Sequence, residues 1–255
     1  MTTKRTMPAS LYAAALMVLL TLGGCSTAPK HKGEIIEPVF PADRILQAGV
    51  TYEADTIISD PWEGLNRRIY RFNYYFDRYL FLPAVRTYQA VTPDFLEAGF
   101  HNFFRNLQDF TTLVNSILQL SPEKTLNTLT RLSLNSTVGL LGFIEIADDV
   151  PRSDEDFGQT LGYWGVGSGP YLVLPILGPS SLRDGAGYGV DWAVRTAMWD
   201  AATDFESWQD WAIGILWGID IRAHTAFRYY ETGSPFEYEL VRMLWTTKRQ
   251  LDVER

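Results

Sequence analysis

Few residues in this 255-residue sequence have the type and spacing for covalent chemistry. Gly165-Val166-Gly167-Ser168-Gly169 is the most suggestive run. A nucleophile elbow, however, needs Gly-x-Ser-x-Gly on a strand-to-helix turn. The run also differs from a dinucleotide loop in spacing, and neither a preceding strand nor an acidic ribose partner fits. Of three histidines, His31 lies in a proline-containing stretch. His101 and His224 lie on predicted helices, where a packed or surface imidazole accounts for them without a general-base role. The acids Asp148, Asp149, Asp154, Glu155 and Asp156 lack the alternation of a calcium loop and read as a solvated turn. No metal-ligand spacing appears. No catalytic residue, metal or cofactor is therefore expected, and an enzyme is disfavoured.

Glycines and arginines point to binding instead. Residues 158–189 contain nine glycines interleaved with Pro170, Pro175 and Pro179. Such a segment predicts an ordered loop with close backbone approaches and no regular helix. It either packs tightly or lines a passage in which missing side chains leave room for a ligand. Arg67, Arg68, Arg71 and Arg183 have the fork geometry that suits phosphate, although arginines also pair with neighbouring acids.

The single cysteine, Cys25, has a clearer chemistry. Lys4 and Arg5 precede an apolar run at 11–22 that is too short to span a bilayer. Leu22-Gly23-Gly24-Cys25 then resembles the lipobox of bacterial lipoproteins. Cleavage before Cys25 and acylation of its thiol and freed amine would give three acyl chains, a permanent anchor. An ordinary secretory signal is the alternative. In lipoproteins of this kind an Asp after the cysteine favours the inner membrane, so Ser26 implies the outer one. With no second cysteine, the exported domain must be stable without disulfides.

Removing Lys4 and Arg5 from the 22 basic residues leaves 20 against 30 acidic ones, a net −10. That charge opposes binding to nucleic acid and simple adsorption to anionic lipid. Charged residues make up only 20%, below the roughly 25% of soluble domains. Eight Trp, thirteen Tyr and 14% aromatics suit either a membrane interface or a large packed core.

The elements that must position these residues read as mainly α. After a tether at 26–59, Asp60-Pro61 opens a helix whose apolar stripe is Trp62, Leu65, Ile69, Phe72, Phe76 and Leu80. Pro83 is expected to end it. Phe95, Phe100, Phe103, Phe104 and Leu107 predict a second helix leading to Leu120. Ser121-Pro122-Glu123 caps a third. Residues 138–147, with Gly139 and Gly142, suggest a buried hairpin or re-entrant segment. Further helices are predicted at 190–199, near 208–219, at 220–230 and from Pro235 to about Lys248. No strand alternation, internal repeat or bilayer-spanning run is evident.

Three stretches resemble one family. Asp60-Pro61-Trp62-Glu63-Gly64-Leu65-Asn66-Arg67, with Tyr70, Phe72 and Asn73, is similar to the opening signature of the MlaA (VacJ) lipoproteins. Leu134-Asn135-Ser136 with Gly139, Gly142, Phe143 and Ile144 resembles a second motif. Phe157-Gly158-Gln159-Thr160-Leu161-Gly162 resembles a third, continuing through Gly165-Val166-Gly167, Gly169-Pro170-Tyr171, Pro175, Gly178 and Arg183-Asp184. The resemblance covers about residues 60–249; the long tether and a weakly matching last helix depart from it.

It implies a signal peptide at 1–24, a lipidated tether at 25–59 and one helical domain at 60–255. The domain would be a ring-like bundle of amphipathic helices with glycine-rich loops, embedded in one leaflet of the outer membrane beside a trimeric porin. Such proteins withdraw misplaced phospholipid from the outer leaflet and pass it to a soluble periplasmic carrier, without covalent chemistry. On that reading Gly139, Gly142, Gly162, Gly165, Gly167 and Gly169 are candidates for the passage and gate. Asn66, Arg67 and Arg183 are candidates to face the headgroup. A scaffold lipoprotein without transport, or a periplasmic lipid hydrolase, is the alternative function.

Overall fold

The computed structural model describes residues 58–232 and 234–254. The signal segment, Cys25 and the tether up to residue 57 lie outside the described residues. Helix α1 spans Glu63–Phe76 and buries Asn66, Tyr70, Asn73 and Tyr74. These positions recur at helical spacing and make one inward face. The apolar stripe lies elsewhere: Trp62, Leu65, Phe72 and Leu80 are all exposed. Asp60 does not cap α1. Its carboxylate instead accepts from Asn66 Nδ2 at 2.7 Å, from the Tyr238 hydroxyl at 2.5 Å and from Arg242 Nη1 at 3.0 Å.

Pro83 does not end this helix. Residues Asp77–Phe81 form a π turn, and α2 (Leu82–Val91) continues from it. An α-helical proline loses a hydrogen bond and clashes with the carbonyl four residues back. The widened turn, closed by Leu82 N–H donating to the Asp77 carbonyl, removes that conflict just before Pro83.

Helices α3 (Asp94–Leu118) and α4 (Pro122–Thr137) are joined by residues 119–121 and pack together. The buried face of α3 is largely polar: Asn106, Asp109, Thr111, Thr112, Asn115 and Ser116 accompany Phe104. From α4, buried Arg131 reaches Glu145 and donates to the carbonyls of Ala147 and Val150 at 2.8 and 2.7 Å. Residues 138–146 form neither a helix nor the expected buried hairpin; they are a run of turns. Leu140 and Leu141 there adopt positive φ angles of 54° and 60°, and each is 67% exposed.

The glycine-rich segment is more regular than the expected loop. It contains α5 (Phe157–Tyr163), antiparallel strands β1 (Tyr171–Leu174) and β2 (Gly178–Ser181), and the start of α6 (Leu182–Ala202). Tyr171 pairs with Ser181 and Leu174 with Gly178. Glycine costs a helix about 1 kcal/mol relative to alanine. Here it permits a close helix crossing: a Cβ on Gly187 would stand 2.3 Å from the Gly158 nitrogen. Four-residue strands with apolar side chains on both faces carry no alternation to detect, which is why β1 is invisible in the sequence.

Helix α7 (Ser207–Ala223) stops short of the helix expected at 220–230. Arg222 turns its guanidinium back to the carbonyls of Thr225 and Phe227 and pairs with Asp77. Tyr229 and Tyr230 then pack edge-on against Tyr70, at 4.9 and 5.7 Å between ring centroids. Helix α8 (Glu237–Glu254) closes the described chain. The apolar core is small, centred on Tyr70, Tyr171, Val173, Tyr238 and Val241. Glu237 is buried within it and accepts from the Tyr70 hydroxyl at 2.7 Å and the Thr232 hydroxyl at 2.8 Å.

Candidate functional site

Polarity is inverted relative to an ordinary soluble domain. Among the described residues, 23 polar or charged side chains are buried against 11 apolar ones. Trp192, Trp208, Trp211, Ile215, Phe95, Leu126, Val138 and Leu140 are among the large apolar side chains left exposed. Exposed apolar area on this scale marks a membrane or partner surface. No helix among the described residues is long and apolar enough to cross a membrane.

The polar interior is knitted across helices. Asn115 on α3 donates to Asp191 on α6 at 3.0 Å and accepts from Thr160 on α5 at 2.8 Å. Gln119 donates to the same Thr160 hydroxyl at 3.1 Å, and Asp191 accepts the Phe157 N–H at 2.8 Å. Beside this network lies a cavity of about 590 Å³ lined by residues of α3, α6 and α7, among them Arg105, Thr111, Thr112, Arg195 and Trp217. Burial pushes the Asp109 carboxyl up to about 6, against the lowering pull of Arg152 and Arg131. Burial likewise raises Asp191, although Phe157 N–H and Asn115 oppose the shift.

The expected site residues do not form one cluster. Asn66 is fully buried, and both ends of its amide are engaged: it donates to the Tyr171 carbonyl at 3.1 Å and accepts Val173 N–H at 3.0 Å. Arg67 pairs with Glu63 at 2.7 Å and with Glu239, and lies 4.2 Å above the Tyr238 ring. Arg183 lines a second cavity, of about 250 Å³, together with Ser168, Gly169, Asp184 and Arg249. There Arg249 bridges Asp156 and Asp184 at 2.7 and 2.8 Å. Burial tends to raise both carboxyls, but the Arg249 guanidinium holds them below the usual carboxylate range.

The glycines divide by surroundings. A Cβ on Gly139 would meet the Ile144 carbonyl at 2.2 Å, and one on Gly142, at φ +93°, would meet Asn106 at 2.4 Å. Gly162 faces Val253 and Arg183 at 2.7 and 2.8 Å. Gly165 and Gly169 have positive φ, whereas Gly167 has open space around it and no such constraint. Cys25 lies outside the described residues. Sequence reading missed the larger cavity and the Asn115–Thr160–Asp191 network. The available signal was the polar spacing of Gln108, Thr111, Thr112, Asn115 and Gln119 along α3, overshadowed by its phenylalanines.

Known proteins match much of this chain. The family profile described as MlaA lipoprotein matches residues 58–252. An uncharacterized protein of Rickettsia prowazekii is 36% identical over 59% of this chain and 61% of its own length. The Shigella flexneri intermembrane phospholipid transport system lipoprotein MlaA is 36% identical over 65% of this chain and 66% of its own. The chain thus spans less than two thirds of the length of these curated relatives. A solved structure concerned with the maintenance of bacterial outer membrane lipid asymmetry is 29% identical, with a TM-score of 0.61. That likeness covers 76% of this chain and 99% of the other. With the profile matching residues 58–252, well over half of the sequence, this chain belongs to the MlaA lipoprotein family.

Proposed function

We propose that this protein is an envelope lipoprotein that removes phospholipid misplaced in the outer leaflet of the outer membrane and hands it to a soluble periplasmic carrier. Cys25 carries the lipid anchor, the domain sits in the periplasmic leaflet, and a trimeric porin is its membrane partner. It moves lipid without making or breaking a covalent bond. The observation that carries this reading is the inverted polarity: an apolar exterior around a hydrogen-bonded polar interior. Short amphipathic helices can bury their apolar faces in one leaflet. Irregular backbone, as at 138–146 and 164–170, is tolerated at that depth where it is packed in protein or lines a cavity.

The polar cavity walled by α3, α6 and α7 supplies the headgroup route, with Arg105 and Arg195 in its wall. Gly165, Gly167 and Gly169, on the exposed loop before β1 with Arg183 behind them, border the smaller cavity instead and form a separate, adjustable rim there. The test is complementation in a strain lacking its own family member, reading phospholipid in the outer leaflet. The wild-type chain should restore low outer-leaflet phospholipid. Cys25→Ala should fail to label with a palmitate analogue and fail to restore asymmetry. Wild-type protein that reaches the outer membrane yet leaves phospholipid in the outer leaflet would overturn transport in favour of a scaffold.

A further inference from the structure

The larger cavity holds a cluster that the lipid-transport reading does not use. His101 projects from α3, 119 residues before Asp220. Asp220 and His224 stand four residues apart at the end of α7, hence on one helix face. Asp220 is only 2% exposed. Its Oδ2 lies 3.0 Å from His101 Nδ1, and its Oδ1 lies 3.3 Å from His224 Nδ1. The two imidazole rings stack at 3.6 Å between centroids. One potential ligand atom from each residue lies within 4.8 Å of the others.

The second observation is an orphan. Asp220 Oδ1 is buried with no hydrogen-bond donor aligned on it, because His224 Nδ1 donates to the Asp220 main-chain carbonyl instead, at 3.0 Å. A carboxylate oxygen in that state has capacity for a water or a cation, and the two imidazoles beside it favour a cation that takes nitrogen ligands. Among the described residues no guanidinium pairs with Asp220, whose ion-pair partners are His101 and His224. Arg152 is held by Asp109 at 3.0 Å and by Asp154 at 3.1 Å, and Arg195 lies over Trp217 at 4.9 Å. Tyr88 is the competing partner: its hydroxyl is also buried without a bond, near enough for the Asp220 charge to act on it.

We propose that His101, Asp220 and His224 bind a divalent transition-metal ion of the zinc class, with one coordination position open to the cavity. Ligand atoms about 2.0–2.2 Å from a tetrahedral ion stand roughly 3.3–3.6 Å apart; the His224–Asp220 separation of 3.3 Å meets that, and the His101–Asp220 pair, at 3.0 Å on the other carboxylate oxygen, must open slightly. Imidazole nitrogen selects zinc, nickel or copper over magnesium and calcium, which favour oxygen donors. Binding requires His224 to exchange its main-chain bond for the ion. Its side chain, 36% exposed, has room to do so. The bound ion clamps the end of α7 to α3, and this inference stands whether or not the cavity carries lipid.

The experiment uses the full-length lipoprotein in detergent, stripped with chelator. Zinc is titrated by calorimetry in excess magnesium, and thermal unfolding is followed in parallel. One saturable zinc site and a raised melting temperature are expected. Asp220→Asn and His224→Ala should each weaken zinc binding by about tenfold or more while retaining the wild-type circular dichroism. Tyr88→Phe should leave zinc affinity unchanged. Absence of saturable binding, or affinity unaltered in folded His224→Ala, overturns the proposal. So does zinc affinity that falls in Tyr88→Phe as far as in Asp220→Asn.

Discussion

Asn66 and Asn73 lie seven residues apart on α1 and grip β1 and the turn after it at points three residues apart. Asn66 donates to the Tyr171 carbonyl and accepts Val173 N–H; Asn73 donates to the Leu174 carbonyl at 2.9 Å and accepts Ile176 N–H at 2.7 Å. Seven helical residues rise about 10.5 Å, and three strand residues about 10 Å. The two amides therefore match the advance of the chain and act as peptide groups for β1 and the turn that follows it, leaving those main-chain atoms satisfied.

Loss of either amide should be costly. Asn73→Ala is expected to destabilise the domain by about 1–2 kcal/mol, since it leaves a partly buried N–H and a partly buried carbonyl unpaired. Asn66→Asp should be at least as damaging as Asn66→Ala at neutral pH. It sets a second carboxylate where Asn66 now donates to Asp60. Urea unfolding of the purified domain measures both; a loss below about 0.5 kcal/mol in Asn73→Ala would remove this role.

Leu140 and Leu141 combine positive φ with high exposure, a pairing that neither helps folding nor suits leucine in water. The double change to Asn, which tolerates that backbone region, should leave stability equal or higher. It should also weaken binding to phospholipid vesicles about tenfold, since each apolar side chain contributes up to about 1.5–3 kcal/mol when buried in lipid. Vesicle flotation and thermal melting separate the two effects. Unchanged flotation would show that these leucines do not enter the membrane.

Glycines with different surroundings should respond differently. Gly142→Ala combines positive φ with a Cβ 2.4 Å from Asn106, so a loss of about 1–3 kcal/mol is expected. Gly167→Ala and Gly167→Trp meet open space and should both fold. If Gly167 borders the lipid route, the Trp variant accumulates at the outer membrane but fails to clear outer-leaflet phospholipid. Clearance proportional to protein level in both Gly167 variants would exclude that placement.

Arg249→Met leaves Asp156 and Asp184 without their shared cation, for an expected cost of about 2–3 kcal/mol at pH 7.5, trimmed because Asp156 is partly exposed. In the wild type both carboxyls are held below their ordinary range. Their stabilisation is thus present above that range and lost as pH falls below about 4. Without Arg249 both carboxyls lose their largest opposition to burial, while Gln159 still favours charged Asp156 and Ser181 and Arg183 charged Asp184, so the deficit of the variant should narrow as pH drops through the carboxylate range. Urea midpoints across that interval provide the test; a deficit that grows with acidity would contradict the assignment.

Much of this was legible residue by residue. The helices near 63, 94, 122 and 237 announce themselves through proline, capping residues and periodicity, and all four appear close to their expected starts. The failures share a cause. Pro83 is absorbed by the π turn at Asp77–Phe81, and Gly187 sits within α6 because its crossing with α5 needs glycine there. In each case a contact with a distant or neighbouring element overrides local propensity.

The sequence by itself determined where several of the helices start, that Leu22-Gly23-Gly24-Cys25 resembles a lipobox, and that its helices have two unlike faces. Periodicity defines those faces without saying which one meets the interior, because an amphipathic stripe is compatible with water outside or with lipid outside. Only the tertiary structure decided that. It turns Asn66, Asn73 and Asn115 inward, where partners up to 107 residues away satisfy their amides, and leaves Trp211, Leu140 and Phe95 outside. Burying a polar group is tolerable when its hydrogen bonds are complete, and those partners are brought together only by the fold.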